Sequence, residues 1–463
     1  MNIVIMGAGR LGTHLATALS QQEHNVFVID PNEKALDKLA RVADIATCIG
    51  SGSDWELLEE LLEHQPDLFI ALTGDDESNL VACSLAKNLG YPKTVARLHR
   101  SSGLNRTRLD LGRLFFVDHF LDPELIVAHE IFKYMTHPGI VAIENFAHGA
   151  VQMRTFKISD KWEKGHCKLS ELNFQDELLI ALIKREDEVI FPRGEDQIFP
   201  GDEITLIGEA KVMEHLPAIF GITDKKVSSA VVVGGSRVAL HLCHLLEARD
   251  IPTKLFEKEQ QKCHLLAENL KQTTILNLDG LDPDALSSEK IGHTGVFVAC
   301  TSSDETNIVS ASLAKFFRCE EVIALVADAS YLPLLKKMEI ASIISEEACV
   351  TARIQSIIEE GNVIAVASLY ENRAKIIEIK VSADSEIVGI PLADLRSRLP
   401  KDFLIALIEN RGKISVAKGN HILCPGDTAI VISCPKHIHE LEGIFYSNLS
   451  GNLDGTLDGY ASN

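Results

Sequence analysis

Hydrophobic positions near the start of the chain form a short unbroken run, Ile3-Val4-Ile5-Met6, then a glycine turn, then apolar residues at helical spacing up to Leu19. The same grammar returns at Ala230-Val231-Val232-Val233, with a glycine turn and a second apolar-periodic stretch up to Leu246. Each unit reads as a buried strand followed by a helix, and each next strand ends on an acid, Asp30 in VFVID and Glu257 in KLFE. Further on, DLFIALTGDDESNLVACSLAK faces GVFVACTSSDETNIVSASLAK. From Thr73 and Thr301 onward the two share Thr, Asp, Glu, Asn, Val, Ser, Leu, Ala and Lys in register, so the chain carries an internal repeat.

A second pair follows, LLIALIKREDEVIFPRGEDQIFPGDEITLIG and FLIALIENRGKISVAKGNHILCPGDTAIVIS. Short runs of Ile, Leu and Val broken by Gly and by Pro-Gly-Asp predict a small sheet-rich module. Gly194 and Gly419, with Pro200-Gly201-Asp202 and Pro425-Gly426-Asp427, supply turn chemistry at matching places. The predicted order is a parallel strand–helix domain over 1–137, a small domain over 138–224, a second parallel domain over 225–360, a second small domain over 361–445 and a disordered tail over 446–463. Between the two kinds of domain, residues 122–139 predict a helix started by Asp122-Pro123-Glu124 and stopped by Pro138-Gly139. Its counterpart starts at Ser345-Glu346-Glu347 and stops at Gly361. Leu125, Ile126, Val127, Ile131, Phe132, Tyr134 and Met135 cover more than one face of the first helix. Such a helix is buried on several sides, either crossing into a partner subunit or domain or packing as a hinge within its own chain.

Composition narrows the function. A net charge of −21, from 45 basic and 66 acidic residues among 463, repels phosphate backbones and disfavours nucleic acid as a partner. No apolar run approaches the length of a membrane span, and the N-terminus lacks a signal-peptide pattern, so a cytoplasmic location is expected. The 10 cysteines show no C-x-x-C spacing and read as core thiols, with no metal site.

Gly7-Ala8-Gly9-Arg10-Leu11-Gly12 is a G-x-G-x-x-G turn directly after a strand and opening a helix. Gly7 permits the tight turn, Gly9 lets the backbone approach a pyrophosphate, and Gly12 allows close helix–strand packing. Amides at the helix start hold phosphates, and Asp30 accepts from ribose hydroxyls, which favours NAD(H) or an adenosine nucleotide over a 2′-phosphorylated cofactor. The second turn, Gly234-Gly235-Ser236-Arg237-Val238-Ala239, places Ser236 where Gly9 stands and Ala239 where Gly12 stands. Its Cβ predicts altered or weaker binding there, although Glu257 keeps the ribose acceptor. Arg97, in TVARL, is placed to pair with a phosphate or to form a surface ion pair; its counterpart is Leu325.

Together, GAGRLG, Asp30, TGDDESNLVACSLAK and the Pro-Gly-Asp module resemble the regulator-of-potassium-conductance (RCK) family, over residues 1 to about 445. The resemblance implies an α/β chain of two Rossmann-like doubly wound parallel-sheet domains (TrkA-N), each followed by a small α+β domain (TrkA-C). It implies NAD(H), and also ATP or ADP, as ligand. The implied partners are a membrane-embedded potassium translocator and further copies of the chain, in a dimer or tetramer ring. By matching position it implies contacts from the first glycine turn, Asp30, Gly50, Ser51, Thr73, Gly74 and Arg97, and from the Gly234–Val238 turn, Glu257 and Thr301.

No arrangement of catalytic groups accompanies the fingerprint, and His241 and His244 beside Cys243 lack the further ligands a zinc site needs. The sequence therefore predicts a non-enzymatic regulatory subunit. Two other readings share the fingerprint: an NAD-dependent oxidoreductase, and a nucleotide-gated subunit of another cation channel or exporter.

Overall fold

The computed structural model describes residues 1–99, 110–136, 140–146, 151–158, 162, 167–171, 178–186, 188–192, 195–213, 227–328, 331, 335, 342–358, 363–369, 373–397, 402–410, 413–437, 440 and 444–445. The chain divides into two compact units, Met1–Thr136 with Lys226–Gln355 and His137–Lys225 with Ser356–Asn463.

In the first unit, the opening apolar run forms β1 (Asn2–Met6), followed by α1 (Arg10–Ser20), β2 (Asn25–Asp30), α2 (Glu33–Ala40), β3 (Ala46–Ile49) and α3 (Trp55–Leu61). Then come β4 (Leu68–Ala71), α4 (Asp76–Leu89), β5 (Thr94–Arg97), α5 (Leu111–Phe115), β6 (His119–Leu121) and α6 (Pro123–Thr136). The sheet order is β3-β2-β1-β4-β5-β6. Its strand pairings are all parallel, and the strand order reverses between β1 and β4, where ligands bind in open α/β sheets. Local chemistry sets the helix ends: Asp75 caps α4 by accepting from Ser78 N at 2.9 Å, and Gly90 ends it with φ +114°.

The second sheet domain of this unit comprises β14 (Ala230–Val233), α8 (Arg237–Glu247), β15 (Thr253–Phe256), α9 (Gln260–Asn269), β16 (Thr274–Leu276), α10 (Pro283–Ser288), β17 (Val296–Ala299), α11 (Asp304–Phe316), β18 (Glu321–Val326) and β19 (Ser342–Ser345). Its sheet order, β16-β15-β14-β17-β18-β19, matches the first. The helix α12 (Glu346–Ile358) leaves it as α6 leaves the first sheet. Asp122 caps α6 by accepting from Leu125 N at 3.0 Å, and Ser345 caps α12 by accepting from Ala348 N at 3.3 Å. Val127, Ala128, Ile131 and Met135 of α6 are buried with Leu242, Leu246 and Val298 in the core of the second sheet domain. The several apolar faces of α6 thus serve a crossing into the neighbouring domain of the same chain. Pro138, Gly139 and Gly361, expected to stop these helices, lie outside the described residues.

In the second unit, β7 (Ile140–Phe146), β8 (Val151–Lys157), β9 (Cys167–Lys168), β10 (Leu178–Arg185), β11 (Glu188–Ile190), β12 (Gln197–Ile198), β13 (Glu203–Glu209) and the short α7 (Ala210–Met213) make up the first small module. The second holds β20 (Val363–Leu369), β21 (Ala374–Lys380), β22 (Phe403–Asn410), β23 (Lys413–Val416) and β24 (Thr428–Ser433). Their five-stranded sheets, β11-β10-β13-β8-β7 and β20-β21-β24-β22-β23, are antiparallel, with bulges at the matching places Ile180/Leu182 and Ile405/Leu407. Val151, Ala181, Leu182 and Ile207 share a core with Ala374, Ile376, Leu407 and Ile430, so the two sheets pack against each other. In the Pro-Gly-Asp turns, Gly201 and Gly426 adopt φ +87° and +88°, while Asp202 and Asp427 each accept at 2.9 Å from the N–H three residues earlier, Phe199 and Cys424. Gly194 and the tail 446–463 lie outside the described residues. Among the described residues no helix is long and apolar enough to cross a membrane.

Candidate functional site

At the C-terminal ends of β1 and β4 a cavity of about 280 Å³ opens, lined by Gly7, Gly9, Arg10, Leu11, Asp30, Leu72, Thr73, Gly74, Arg97 and Glu346. Gly7 adopts φ +110°, and a Cβ there would stand 3.3 Å from the Leu72 carbonyl carbon. A Cβ on Gly12 would come within 1.9 Å of the Gly7 carbonyl oxygen, which is why α1 can start so close to the turn. At Gly9 a Cβ would meet no protein atom within 4 Å. Gly9 caps α1 without a side-chain bond, so the first-turn amides remain open to an anion.

Asp30 ties the turn together. Its Oδ2 accepts from Ala8 N at 2.6 Å and its Oδ1 from Asn32 N at 2.7 Å. Each oxygen keeps a further lone pair for a hydroxyl. Gly50 and Ser51 do not line the cavity. Gly50 N donates to the Asp30 carbonyl at 3.3 Å, and Ser51 Oγ lies 2.8 Å from Ser53 Oγ. Ala8 and Gly12 stand behind the wall as well, as parts of the turn's own packing.

Thr73 and Arg97 are positioned by a residue that motif reading passed over. Asn79 is fully buried. Its Oδ1 accepts from Thr73 Oγ1 at 2.7 Å and Thr73 N at 3.0 Å, while its Nδ2 donates to the carbonyls of Thr73 at 3.1 Å and Arg97 at 3.0 Å. Asn307 repeats the clamp, accepting from Thr301 Oγ1 and N at 2.7 Å each and donating to the Thr301 and Leu325 carbonyls at 3.1 and 2.9 Å. The signal was available: this asparagine is one of the identities shared by the two repeats.

A second cavity, about 440 Å³, occupies the same place in the second sheet domain. All of Gly234, Gly235, Ser236, Arg237, Val238, Glu257 and Thr301 line it, with Lys258, Lys262, Asp279, Ser302, Ser303 and Leu325. Gly234 adopts φ +102°. Ser236 turns its hydroxyl inward, donating to the Cys300 carbonyl at 2.6 Å and accepting from Ala239 N at 3.1 Å. The helix start therefore loses one open amide relative to the first site. Glu257 ties this turn as Asp30 ties the other, accepting from Gly235 N at 2.6 Å and Glu259 N at 2.8 Å. A Cβ on Gly235 would lie 2.7 Å from Glu257 Oε2 and 2.9 Å from Leu266 Cδ1, so glycine leaves room for both the longer acid and the leucine.

Each cavity is also walled by the other domain. Glu346, the first residue of α12, lines both, and Glu124 of α6 lines the second. Arg10 Nη2 meets Glu346 Oε2 at 2.8 Å, and His14 Nδ1 meets Glu347 Oε2 at 3.4 Å. Arg97 Nη2 stands 3.5 Å from Glu124 Oε1, and Arg237 Nη1 reaches the His99 carbonyl at 3.4 Å. Burial pushes the Glu346 carboxyl above its ordinary range, Arg10 and Arg97 pull it down, and Glu124 pushes it up. Burial likewise lowers the His241 imidazole. Glu124 and Glu346 carry no local motif; only the crossing of α6 and α12 brings them here.

Comparison with known proteins matches this architecture. The TrkA-N domain model matches residues 3–110 and 230–346, and the TrkA-C domain model matches residues 167–221 and 376–446. A protein of Methanosarcina mazei, Trk system potassium uptake protein TrkA homolog 1, is 31% identical over 456 residues, 96% of this chain and 100% of its own. The chain belongs to the TrkA family. Trk system potassium uptake protein TrkA of Haemophilus influenzae is 29% identical over 459 residues, covering 96% of this chain and 98% of its own. Among solved structures, the GsuK RCK domain superposes with TM-score 0.63 at 15% identity, over 96% of this chain and 94% of that one. The GsuK channel bound to NAD gives TM-score 0.64 at 15% identity, over 96% and 78%. At such identity the likeness is one of fold.

Proposed function

We propose that this chain is the peripheral cytoplasmic regulatory subunit of a Trk-type potassium uptake system, binding NAD(H), ATP or ADP and gating a membrane-embedded translocator as a homo-oligomer, a dimer or a tetramer ring. The observation that carries this reading is that each cavity combines a glycine turn with a wall from the other sheet domain, so a ligand in it touches both domains. A ligand that fits one relative arrangement of the domains better than another shifts the population between them.

In the first cavity, Gly7 and Gly9 would let backbone approach a pyrophosphate, the first-turn amides and Arg10 and Arg97 would meet its charge, and Asp30 would accept from a ribose. Arg97 Nε and Glu124 Oε2 are buried without a hydrogen-bond partner among the described residues, which fits a site built to receive polar groups. In the second, Glu257 takes the part of Asp30, and Arg237, Lys258 and Lys262 supply positive charge where Arg97 is replaced by Leu325. Gly50 supports Asp30 from behind through its N–H, and Ser51 sits beside it, bonded to Ser53. The charged wall groups are largely paired with one another, which suits a sensing site better than a hydride-transfer site needing a free acid or base at the nicotinamide.

Calorimetric titration with NADH, NAD, ATP and ADP tests the ligand assignment. Binding is expected, and Asp30→Ala and Gly9→Ala should each weaken it; unchanged affinity in both variants would remove the first cavity as the site. Co-purification with the membrane translocator tests the partner.

A further inference from the structure

We infer that Glu346 ties the two nucleotide sites together, so that an anionic ligand in the first cavity weakens the binding of an anionic ligand in the second. The inference rests on the nucleotide reading above and adds to it a coupling between the sites.

Glu346 is the residue that lines both cavities. Its side chain is 19% exposed, and its nearest cation is Arg10, at 2.8 Å. Arg10 is the first residue of α1 and half-exposed in the first cavity, where a phosphate held by the helix start would meet it. A phosphate there competes for the same guanidinium. The Glu346 carboxylate is then left enclosed beside Glu124, because Arg97, the other cation of its surroundings, also lines the first cavity and meets the same phosphate, and Glu346 lines the second cavity too. An enclosed charge without its partner is costly, and a second anion beside it adds repulsion.

The two repeats are not equivalent in this respect. Both crossover helices carry an acid at their second position, Glu124 and Glu347, but at the first position α6 has Pro123 where α12 has Glu346. The link is therefore a property of the second helix. Binding linkage is reciprocal, so ligand in the second cavity weakens the first by the same factor.

The test uses the full chain with ADP as probe. Asp30→Ala weakens the first site so that the second is read apart from it, Glu257→Ala does the same for the second site, and the unmodified chain reports both together; each is titrated with Glu346 present and with Glu346→Gln. The two-site product of association constants should fall below the product of the single-site values by about fivefold or more. With Glu346→Gln, and with Arg10→Gln, which cuts the pair from the other side, that ratio should approach one. A ratio of one in the chain carrying Glu346, or a ratio unchanged by Glu346→Gln, overturns the coupling while leaving nucleotide binding intact. Absence of ADP, ATP and NAD(H) binding to every chain overturns the nucleotide reading itself. Should a single-site variant fail to fold, the separation between the two binding steps of the full chain must still narrow with Glu346→Gln, and a separation that stays the same counts against the link.

Discussion

Asp30 with Ala8, and Glu257 with Gly235, hold their turns through the same bond at the same 2.6 Å, but with an acid and a neighbour exchanged together. The shorter acid leaves room for a Cβ; the longer one does not. Gly235→Ala should therefore displace Glu257 and weaken ligand binding at the second site roughly tenfold, the worth of about 1.5 kcal/mol for a hydrogen bond to a charged group. Adding Glu257→Asp should restore part of it, the remainder reflecting the Leu266 methyl 2.9 Å from the new Cβ, both read calorimetrically in an Asp30→Ala background. Asn79 makes a second residue-scale prediction: Asn79→Ala strands the Thr73 and Arg97 backbone groups and should cost about 1–3 kcal/mol in denaturant unfolding. The glycine turns and their acids were legible because each answers a local demand of φ angle or spacing. Ser236 was legible as a substitution but not in its effect, since the Cys300 carbonyl that receives its hydroxyl is remote in sequence.

At the scale of elements, α6 shows where reading a chain locally stops. Its several apolar faces predicted burial on several sides, yet whether it met another subunit or its own chain depended on contacts with α8 that no local pattern encodes. Ile131 is fully buried in the second domain's core although it belongs to the first repeat's helix. Ile131→Ala should cost about 2–5 kcal/mol and lower hydrogen-exchange protection in α8, a helix more than a hundred residues away in the sequence. A pH dependence belongs to the end of the same α8. Burial would raise the Glu247 carboxyl, but the amides of Gln272, Thr273 and Lys271 that it accepts outweigh this and hold it below its ordinary 4.5. The folded state thus favours the charged form, so the stabilisation is complete above 4.5 and is lost as pH falls through the depressed folded value. Glu247→Gln should remove that share of the acid sensitivity, measured as thermal midpoint against pH.

For the whole molecule, the repeat was visible from the outset because two copies of one pattern stand in a single sequence, and the matching sheet orders follow from it. What the repeat hid was its use: the two sheet domains form one compact unit, with Glu346 placed on both cavities by a helix that leaves one domain for the other. On the proposed reading, regulation would follow from this geometry, because each cavity is lined by side chains of two domains at once. The most direct test of this account is potassium flux into vesicles holding the translocator together with this chain. Flux should change on adding NADH or ATP and ADP, and chains carrying Asp30→Ala with Glu257→Ala should leave it indifferent to nucleotide. Flux that is the same with and without nucleotides, or a nucleotide response that survives both substitutions, would contradict it.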